Sequence, residues 1–543
     1  MKLARRVLGL GTMALLIGAF PGVASAHLER PTEFPDGSGS IPRYRPMVSE
    51  PNLVVCTKDS ARRIKRIDDK SLRQTNRRLL KECDFNHVQD AVNRVRRPGT
   101  TIYLLPGVYR EKPTRSTPKC EKSLGPRPRS YEEQLSCPHA ENLIGVFGDV
   151  NPGDDKRKCD ATVCDLQIEG TGSDAEDVVI TGGFNKKGNW AKLNGIRGDR
   201  SDGLYLKNFT VELFEFNAVY ILETDGFVID DIVARYNDEY GYLTYAVDHG
   251  VHKNCEAYSN GEAAVYPGSA SDLNGDSDET GPLPPKDVAV EITRCSFHHS
   301  ALGMAGTAGN SLHVHDNDFF KNSAGVTVDS FFPNHPGLPQ NHGWFENNRI
   351  FSNNQNYYEK YLYSGVCDKK PANRDYKKGT ICPIVPAPVG TGLLIAGGNH
   401  NYVEHNYVYD NWRAGMMMFG VPAALREDYD PSQQFDTSNS NSFVANLMGF
   451  APDGNEFPNG LDFWWDDQGG GNCWSKNKSS SDQVTSNTMY PGGLPDCESG
   501  GSAFIPLNPY KQGPLVPCGV YDRDDPVLRE PPGCSWMTTP EKP

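Results

Sequence analysis

Short apolar stretches recur along this chain about every 23 residues, each beside a position where one type of side chain keeps returning. One column reads Phe209, Ile232, Cys255, Cys295, Asn317, Asn348, Asn406 and Asn446; a second, five residues on, reads Phe214, Asn237, Asn260, Ser300, Asn322, Asn353 and Asn411. The longer gaps equal one unit plus inserted residues. This pattern predicts a solenoid of short strands in which asparagine amides bond along a ladder from coil to coil.

One amphipathic helix is predicted ahead of the coils. Its apolar residues at helical spacing are Phe85, Val88, Ala91, Val92 and Val95, and Gly99 ends the run. Residues 101–105 then predict a strand and residues 106–109 a turn. A helix that leads into the first strand covers the open end of a solenoid, as terminal repeats must.

These features resemble one known architecture. The capping helix, the sequence Pro106-Gly107-Val108-Tyr109, the repeat length and the asparagine columns look like a right-handed parallel β-helix of the pectin-lyase-like superfamily. The resemblance covers about 350 residues and implies an all-β solenoid. It does not extend to the sequence signatures of polygalacturonases, of which Asp248-His249-Gly250 is a partial echo, or of mannuronan epimerases. It therefore implies a fold rather than an activity.

The chain divides into four predicted parts. These are a secretory signal peptide at 1–26, a polar and basic N-terminal arm at 27–83, the β-helix at 84–451, and a Gly/Pro/Cys-rich C-terminal cap at 452–543. The β-helix carries predicted insertions at 112–165, 271–286, 332–341, 359–389 and 421–440. Most of them follow a strand that ends a repeat, so they are expected to wall a groove along the stack. The alternative is that this corner merely tolerates insertions best.

The cysteines and the signal peptide predict an exported protein. All 14 cysteines follow the signal peptide, which fits an oxidising compartment. The close pairs favoured for bridging are Cys56 with Cys83, Cys120 with Cys137, Cys159 with Cys164, Cys367 with Cys382, and Cys473 with Cys497. Cys255 and Cys295 share a ladder column, so they should form either a bridge or a stacked thiol pair on adjacent coils.

Charge narrows the range of partners. The formal net charge is −14, of which +3 comes from the signal peptide, leaving −17 on the mature chain. That balance excludes nucleic acid as a natural partner. It also disfavours an acidic polymer at long range unless a cation or a basic cleft intervenes. No stretch after the signal peptide predicts a membrane span, and the sequence leaves the oligomeric state open.

Candidate catalytic residues concentrate between residues 220 and 266. Polysaccharide lyases and epimerases need a base that removes the C5 proton of a uronic acid and a group that neutralises its carboxylate. The candidate catalytic residues are Asp225, Asp248, His249, Lys253 and Tyr266; the candidate substrate-binding residues are Tyr220, Tyr245, Trp464 and Trp465. Asp225 and Asp248 are 23 residues apart and should stack on neighbouring coils. For each residue the alternative is a structural role in a turn or a cap.

Metal sites are suggested in two places. Asp272, Asn274, Asp276 and Asp278 place oxygen donors at alternate positions, as Ca²⁺ favours, although the segment departs from an EF-hand loop. The alternative is a solvated acidic loop. His313 and His315 should share one face of a strand, which suits a metal or a catalytic imidazole.

Three interpretations of the function remain open from the sequence alone. The first is a secreted β-helix protein that engages a polysaccharide in a lateral groove as a lyase or epimerase. The second is a non-catalytic secreted or surface protein whose repeats present binding loops. A metal-handling exported protein is a third interpretation.

Overall fold

The structure is a computed structural model that describes residues 32–47, 50–111, 133, 137, 140–148, 159–271, 288–490 and 492–543. Every strand in these ranges belongs to one of two parallel sheets. Sheet B contains Asn142–Phe147, Asn194–Asp199, Asn217–Leu222, Tyr240–Tyr245, Ala263–Gly268, Leu302–Met304, Ala324–Asp329, Thr391–Ala396, Ala414–Phe419 and Phe463–Trp465.

Sheet A supplies two strand segments to most coils. Its strands are Asn52–Val55, Cys83–Phe85, Thr101–Leu104, Gly107–Tyr109, Gln167–Gly170, Val178–Thr181, Leu204–Glu212, Asp225–Arg235, Asp248–Lys253, Glu256–Tyr258, Val290–Thr293, Ser296–His298, Leu312–His315, Asp318–Phe320, Trp344–Glu346, Arg349–Phe351, Tyr402–Glu404, Tyr407–Tyr409, Ser442–Val444, Leu447–Met448, Cys473–Ser475 and Lys478–Ser479.

One coil shows how the chain winds. Sheet B strand Tyr240–Tyr245 leads to sheet A strand Asp248–Lys253, a bend leads to Glu256–Tyr258, and a turn leads to the next sheet B strand, Ala263–Gly268. Successive coils pair in parallel and in register, with Leu243 opposite Tyr266. The inward side chains form one continuous apolar core along the axis. The parallel β-helix predicted from the sequence is therefore confirmed.

The asparagine ladders are present as predicted. Asn317 Nδ2 donates to Asn348 Oδ1 (3.1 Å), Asn348 to Asn406 (3.0 Å) and Asn406 to Asn446 (3.0 Å), all in the buried interior. The second column behaves in the same way, with Asn322 bonded to Asn353. A further ladder, which the sequence analysis did not identify, joins Asn401, Asn441 and Asn472. These amides satisfy buried backbone groups at the bends, as a buried turn requires.

The solenoid extends beyond its predicted start. Strand Asn52–Val55 pairs with Thr101–Leu104, so the coil begins within the predicted arm. The basic segment 58–81 of this arm folds into helices Ser60–Ile64 and Lys70–Leu79. Ile64 and Leu79 are buried against the first coil while most of the lysines and arginines around them remain exposed.

Helices in the described ranges are few and short. Besides these two, they are Val88–Val92 and Pro509–Gln512; short 3₁₀ turns lie at Leu80–Glu82, Ala175–Asp177, Pro371–Asn373, Tyr376–Lys378, Ala423–Arg426, Cys497–Ser499 and Gly513–Val520, and a π-helical turn at Tyr358–Tyr363. Val88–Val92 corresponds to the predicted capping helix but is shorter, because Phe85 lies in strand Cys83–Phe85. None of the helices in the described ranges has the length and apolar character to cross a bilayer. Residues 107–109, predicted as a turn, form a strand that pairs with Val178–Ile180.

The C-terminal region does more than close the last coil. Coils continue past residue 451 to Lys478–Ser479, beyond the predicted end of the β-helix. The chain then returns along the outside of sheet B, where Trp536 and Met537 join the apolar cluster on its outer face. Val389 N–H donates to the carbonyl of Trp536 (2.9 Å), which ties this tail to the insertion at 359–389.

The insertions also cover the outer face of sheet B. The insertion at 332–341 follows the end of sheet B strand Ala324–Asp329, as predicted, whereas that at 359–389 precedes strand Thr391–Ala396 and leaves from the opposite edge. Leu362 and Val385 pack into the outer apolar cluster of sheet B. These two insertions therefore leave from different corners and do not share one wall.

Six disulfides are described. Four join predicted pairs: Cys56–Cys83, Cys159–Cys164, Cys367–Cys382 and Cys473–Cys497. Cys255 and Cys295 are bridged, with Cα atoms 4.5 Å apart as adjacent coils require. Cys518–Cys534 was not predicted. The remaining predicted pair includes Cys120, which lies outside the described residues.

Candidate functional site

The corner where sheet B turns into sheet A brings together three of the predicted catalytic residues. Asp225 and Asp248 are register partners on adjacent coils, as the 23-residue spacing predicts. His249 Nδ1 lies 2.6 Å from Asp225 Oδ1, and the backbone N–H of His249 donates to Asp248 Oδ1 (2.8 Å). Both carboxyl groups are buried, whereas the His249 side chain is 25% exposed. The result is an Asp–His pair with its imidazole at the surface.

The backbone at His249 adopts a conformation that four other histidines of the chain share, namely His299, His342, His400 and His405. Its φ is +48°, in the left-handed region. By strand register, Gly226 and Gly203 occupy the equivalent position in the two preceding coils, and their φ values are +92° and +78°. In this backbone conformation a residue with a Cβ is less stable than glycine by about 1 kcal/mol or more. The same register position in later coils is also left-handed without being glycine, at Ser311, His342, His400 and Ser440. This backbone conformation therefore belongs to the corner of the coil and is not particular to His249.

A third aspartate extends the column. Asp202 precedes Asp225 by one coil, and its carboxyl accepts the backbone N–H groups of Asp225 and Cys159 (2.9 Å each). Burial, together with the charges of Asp225 and Asp36, raises the pKa of Asp202 to about 7. Asp202 was not predicted as a site residue, although its spacing of 23 residues from Asp225 places it in the same column.

The three predicted tyrosines lie elsewhere, under the outer surface of sheet B. The Tyr266 hydroxyl is 3.4 Å from His335 Nε2 and accepts the Thr307 N–H (3.3 Å). The Tyr245 ring meets His335 edge-on, 5.4 Å between centroids, and Tyr220 packs against the guanidinium of Arg197. All three are almost completely buried, which raises the pKa of Tyr266 well above its usual value. Their predicted roles remain predictions.

Two carboxyl groups accompany Tyr266. Glu262 Oε1 accepts the Tyr240 hydroxyl (2.6 Å), and Asp329 Oδ1 accepts the Thr307 hydroxyl (2.7 Å). Burial raises the pKa of Glu262 to about 7 and that of Asp329 to about 6. Burial also lowers the pKa of His335 to about 4, so this imidazole is neutral at physiological pH. Asp329 and His335 were not predicted as site residues. Each comes close to Tyr266 from another coil, and the two are separated from Tyr266 by unequal numbers of residues along the chain.

Replacing Glu262 with glutamine is expected to stabilise the protein at pH 8 and to change stability little at pH 4. The folded-state pKa of about 7 lies above the unfolded value of about 4.3, so the folded chain keeps a proton that the unfolded chain releases. Stability from this group is full below pH 4 and is lost as pH rises to 7. Chemical unfolding should show a gain of roughly 3 kcal/mol at pH 8.

The matched control for that variant is Glu256→Gln, since the Glu256 side chain is 43% exposed. It should shift the unfolding free energy by less than about 0.5 kcal/mol at either pH. An equal effect of Glu262→Gln at pH 4 and pH 8 would contradict the raised pKa.

Lys253 lies apart from the Asp–His pair, on the outer face of sheet A. Its Nζ is 3.8 Å from Asp230 Oδ2 and 5.6 Å from the centre of the Tyr205 ring, and the side chain is 29% exposed. The Lys207 ammonium and the Tyr205 hydroxyl also donate to Asp230 (2.8 Å each). Lys253 thus belongs to a separate polar cluster centred on Asp230.

Trp464 and Trp465 lie at the far end of the solenoid. Their strand is six coils from Tyr240–Tyr245 in sheet B, which is about 29 Å at the usual strand spacing. Trp465 is buried, stacks on Tyr490 (5.4 Å) and donates Nε1–H to the Gln468 carbonyl. Trp464 is partly buried and packs against the outer cluster of sheet B. Neither tryptophan contacts the Asp225–His249 corner.

The metal predictions remain untested. Asp272, Asn274, Asp276 and Asp278 lie outside the described residues. Within the described ranges, no group of three or more His, Cys, Asp or Glu side chains is arranged to hold a metal ion. His313 and His315 do share a face, with ring centres 4.1 Å apart, and their Nε2 atoms pair with Glu346 (2.9 Å) and Glu291 (3.0 Å).

Comparison with known proteins adds a set of structures of similar fold. No family model matches the chain, and no curated protein matches it either. Similar solved structures include the A-module of a mannuronan C-5 epimerase from Azotobacter vinelandii (14% identity, 74% of this chain, 95% of that chain, TM-score 0.34). Others are a surface adhesin of Streptococcus pneumoniae (10%, 75%, 91%, 0.34) and the catalytic unit of an α-1,3-glucanase from Streptomyces thermodiastaticus (10%, 74%, 67%, 0.36). At these values the similarity carries no information about activity.

Proposed function

We propose that this protein is exported and acts on a uronic-acid-containing polysaccharide as a lyase or epimerase, with His249 as the base. The observation that carries the proposal is the Asp225–His249 pair: Nδ1 of a partly exposed imidazole lies 2.6 Å from an oxygen of a buried carboxyl group. A partly exposed imidazole held by a buried carboxyl group is the arrangement expected of a general base.

The roles follow from the contacts. Because Nδ1 is held by Asp225, Nε2 is the ring nitrogen that would accept the C5 proton of the sugar. Asp225 then stabilises the imidazolium that forms. In a lyase, the electron pair of the broken C5–H bond forms the C4–C5 double bond, and the C4 oxygen leaves and takes up a proton. In an epimerase, C5 is protonated again from the opposite face.

Two features support a polymeric substrate and export. The solenoid presents equivalent outer positions at a constant interval, as recognition of a repeating chain requires. Export is supported by the predicted signal peptide at 1–26, which lies outside the described residues, and by the six disulfides.

The test is a panel of uronate polysaccharides assayed in D₂O with the purified mature chain. Lyase chemistry raises the absorbance of unsaturated products, and epimerase chemistry incorporates deuterium at C5 without new reducing ends. Asp225→Asn, which keeps the shape of the side chain, should lower the rate 10²-fold or more. Reducing ends without unsaturated product would instead indicate a hydrolase and contradict the proposal.

A second candidate function, glycan binding without chemistry, is favoured by a separate observation. Partly exposed rings form a column on the outer face of sheet A, one per coil: Tyr258, His298, Phe320, Phe351 and Tyr409, with centroids 4.9–5.1 Å apart. Aromatic side chains that keep one apolar side at the surface are typical of contacts with amphipathic ligands. Retained pull-down of a polysaccharide by a chain inactive on the whole panel would favour this function.

A further inference from the structure

We propose that the N-terminal strap, residues 33–46, is a working part of the Asp225–His249 site, and that Gly39 is the residue through which it positions the pair. This inference rests on the proposed function. The Gly39 N–H donates to Asp225 Oδ2 at 2.7 Å, while the other carboxyl oxygen of Asp225 faces His249 Nδ1 at 2.6 Å. Gly39 is thus a positioning residue that acts through Asp225.

The strap crosses several coils of sheet A. At one end, the Glu33 N–H donates to Glu223 Oε1 (2.8 Å). At the other end, the Tyr44 hydroxyl donates to Glu169 Oε1 (2.9 Å), and the Arg45 N–H donates to Gln167 Oε1 (2.9 Å). These contacts join residues more than 120 positions apart. The strap is therefore anchored on both sides of Gly39 and holds its N–H over the corner.

Two glycines allow this close approach. A Cβ on Gly39 would overlap the Asp225 carboxyl group, and a Cβ on Gly226 would collide with the Ser40 carbonyl. Gly226 also needs its left-handed backbone, with φ at +92°. A segment that merely covered the sheet would have no need for its backbone to approach a carboxyl group so closely. Gly39 differs from the anchoring residues of the strap because the carboxyl group that it contacts is the one that faces His249.

Three hydrogen bonds restrain Asp225. One carboxyl oxygen is fixed by Gly39, the other by His249, and the Asp225 N–H is bonded to Asp202 Oδ1 (2.9 Å). A carboxyl group held at both oxygens cannot rotate away from the imidazole, so the strap orients His249 before substrate binds. Such support of a catalytic group by packed neighbours is what preorganisation requires.

The test is Gly39→Ala in the full mature chain, with Ser38→Ala as the matched control because Ser38 is exposed and lies one residue away. Gly39→Ala is expected to lower kcat at least tenfold with KM changed less than threefold, while the melting temperature shifts little. The same variant should weaken or shift the NMR signal of the His249 Nδ1–H, which reports the bond to Asp225 directly. Ser38→Ala should leave both readouts as in the wild type.

A second variant tests whether any disturbance of the strap has the same effect as a change at Gly39. Tyr44→Phe removes the anchor at Glu169 without touching Asp225, so it should change the NMR signal less than Gly39→Ala does. An unchanged His249 signal and unchanged kcat in Gly39→Ala would overturn the positioning role. If the wild type proves inactive on every polysaccharide, the proposed function fails, but the NMR comparison still tests whether the strap orients His249.

Discussion

Asn348→Ala is expected to lower the free energy of unfolding by roughly 3 to 5 kcal/mol, which is among the largest effects of a single substitution on this fold. The Asn348 side chain makes four hydrogen bonds. It accepts the backbone and side-chain N–H groups of Asn317 (3.1 Å each) and donates to the Val314 carbonyl (2.8 Å) and to Asn406 Oδ1 (3.0 Å). Alanine would leave these partners buried and unsatisfied, which costs about 1 to 3 kcal/mol for each group that water cannot reach.

Denaturant unfolding followed by circular dichroism measures this loss. Asn373→Ala is the matched control, because Asn373 lies in an exposed turn outside the ladders. The control should change stability by less than about 0.5 kcal/mol. A loss below about 1 kcal/mol for Asn348→Ala would mean that water or a shifted neighbour replaces the amide, and that the ladder contributes little to holding the coils together.

His249→Gly is expected to reduce turnover 10²-fold or more and to leave the fold as stable as the wild type or about 1 kcal/mol more stable. Glycine occupies this position in the two preceding coils, so the variant removes the imidazole and relieves the left-handed backbone together. A residue kept for folding would show the opposite result, with loss of stability and no specific loss of activity.

His249→Ala separates the two contributions. Alanine also lacks the imidazole but retains a Cβ in the left-handed region. The His249→Ala variant should therefore be as inactive as His249→Gly, and its free energy of unfolding should be about 1 kcal/mol lower than that of His249→Gly. Thermal unfolding and initial rates on the best substrate of the panel provide both readouts. Turnover within tenfold of the wild type in His249→Gly would remove His249 from the mechanism.

The two predictions test different properties of the protein: Asn348→Ala tests the stability of the fold, and His249→Gly tests the chemistry of the site. Asn348 satisfies buried polar groups at a bend through four hydrogen bonds, whereas His249 has a partly exposed side chain whose register position holds glycine, serine or histidine in other coils.

The sequence alone determined the stacking. In a solenoid, residues one coil apart in space are also one repeat apart in the chain, so Asn317, Asn348 and Asn406 could be aligned without coordinates. The same reason allowed Asp225 and Asp248 to be placed on adjacent coils, and Cys255 beside Cys295. Periodicity did not identify the coils at either end, which are the strand Asn52–Val55 and the coils beyond residue 451.

Only the tertiary structure decided what lies on the outside of the coils. The contact of Gly39 with Asp225 spans 186 residues, and that of Tyr266 with His335 spans 69. Neither follows the repeat, because termini and insertions fold back onto the sheets through side chains whose partners no local pattern specifies. The predicted single site was therefore divided by the structure into a corner with Asp225 and His249, a buried cluster around Tyr266, and a separate polar face with Lys253.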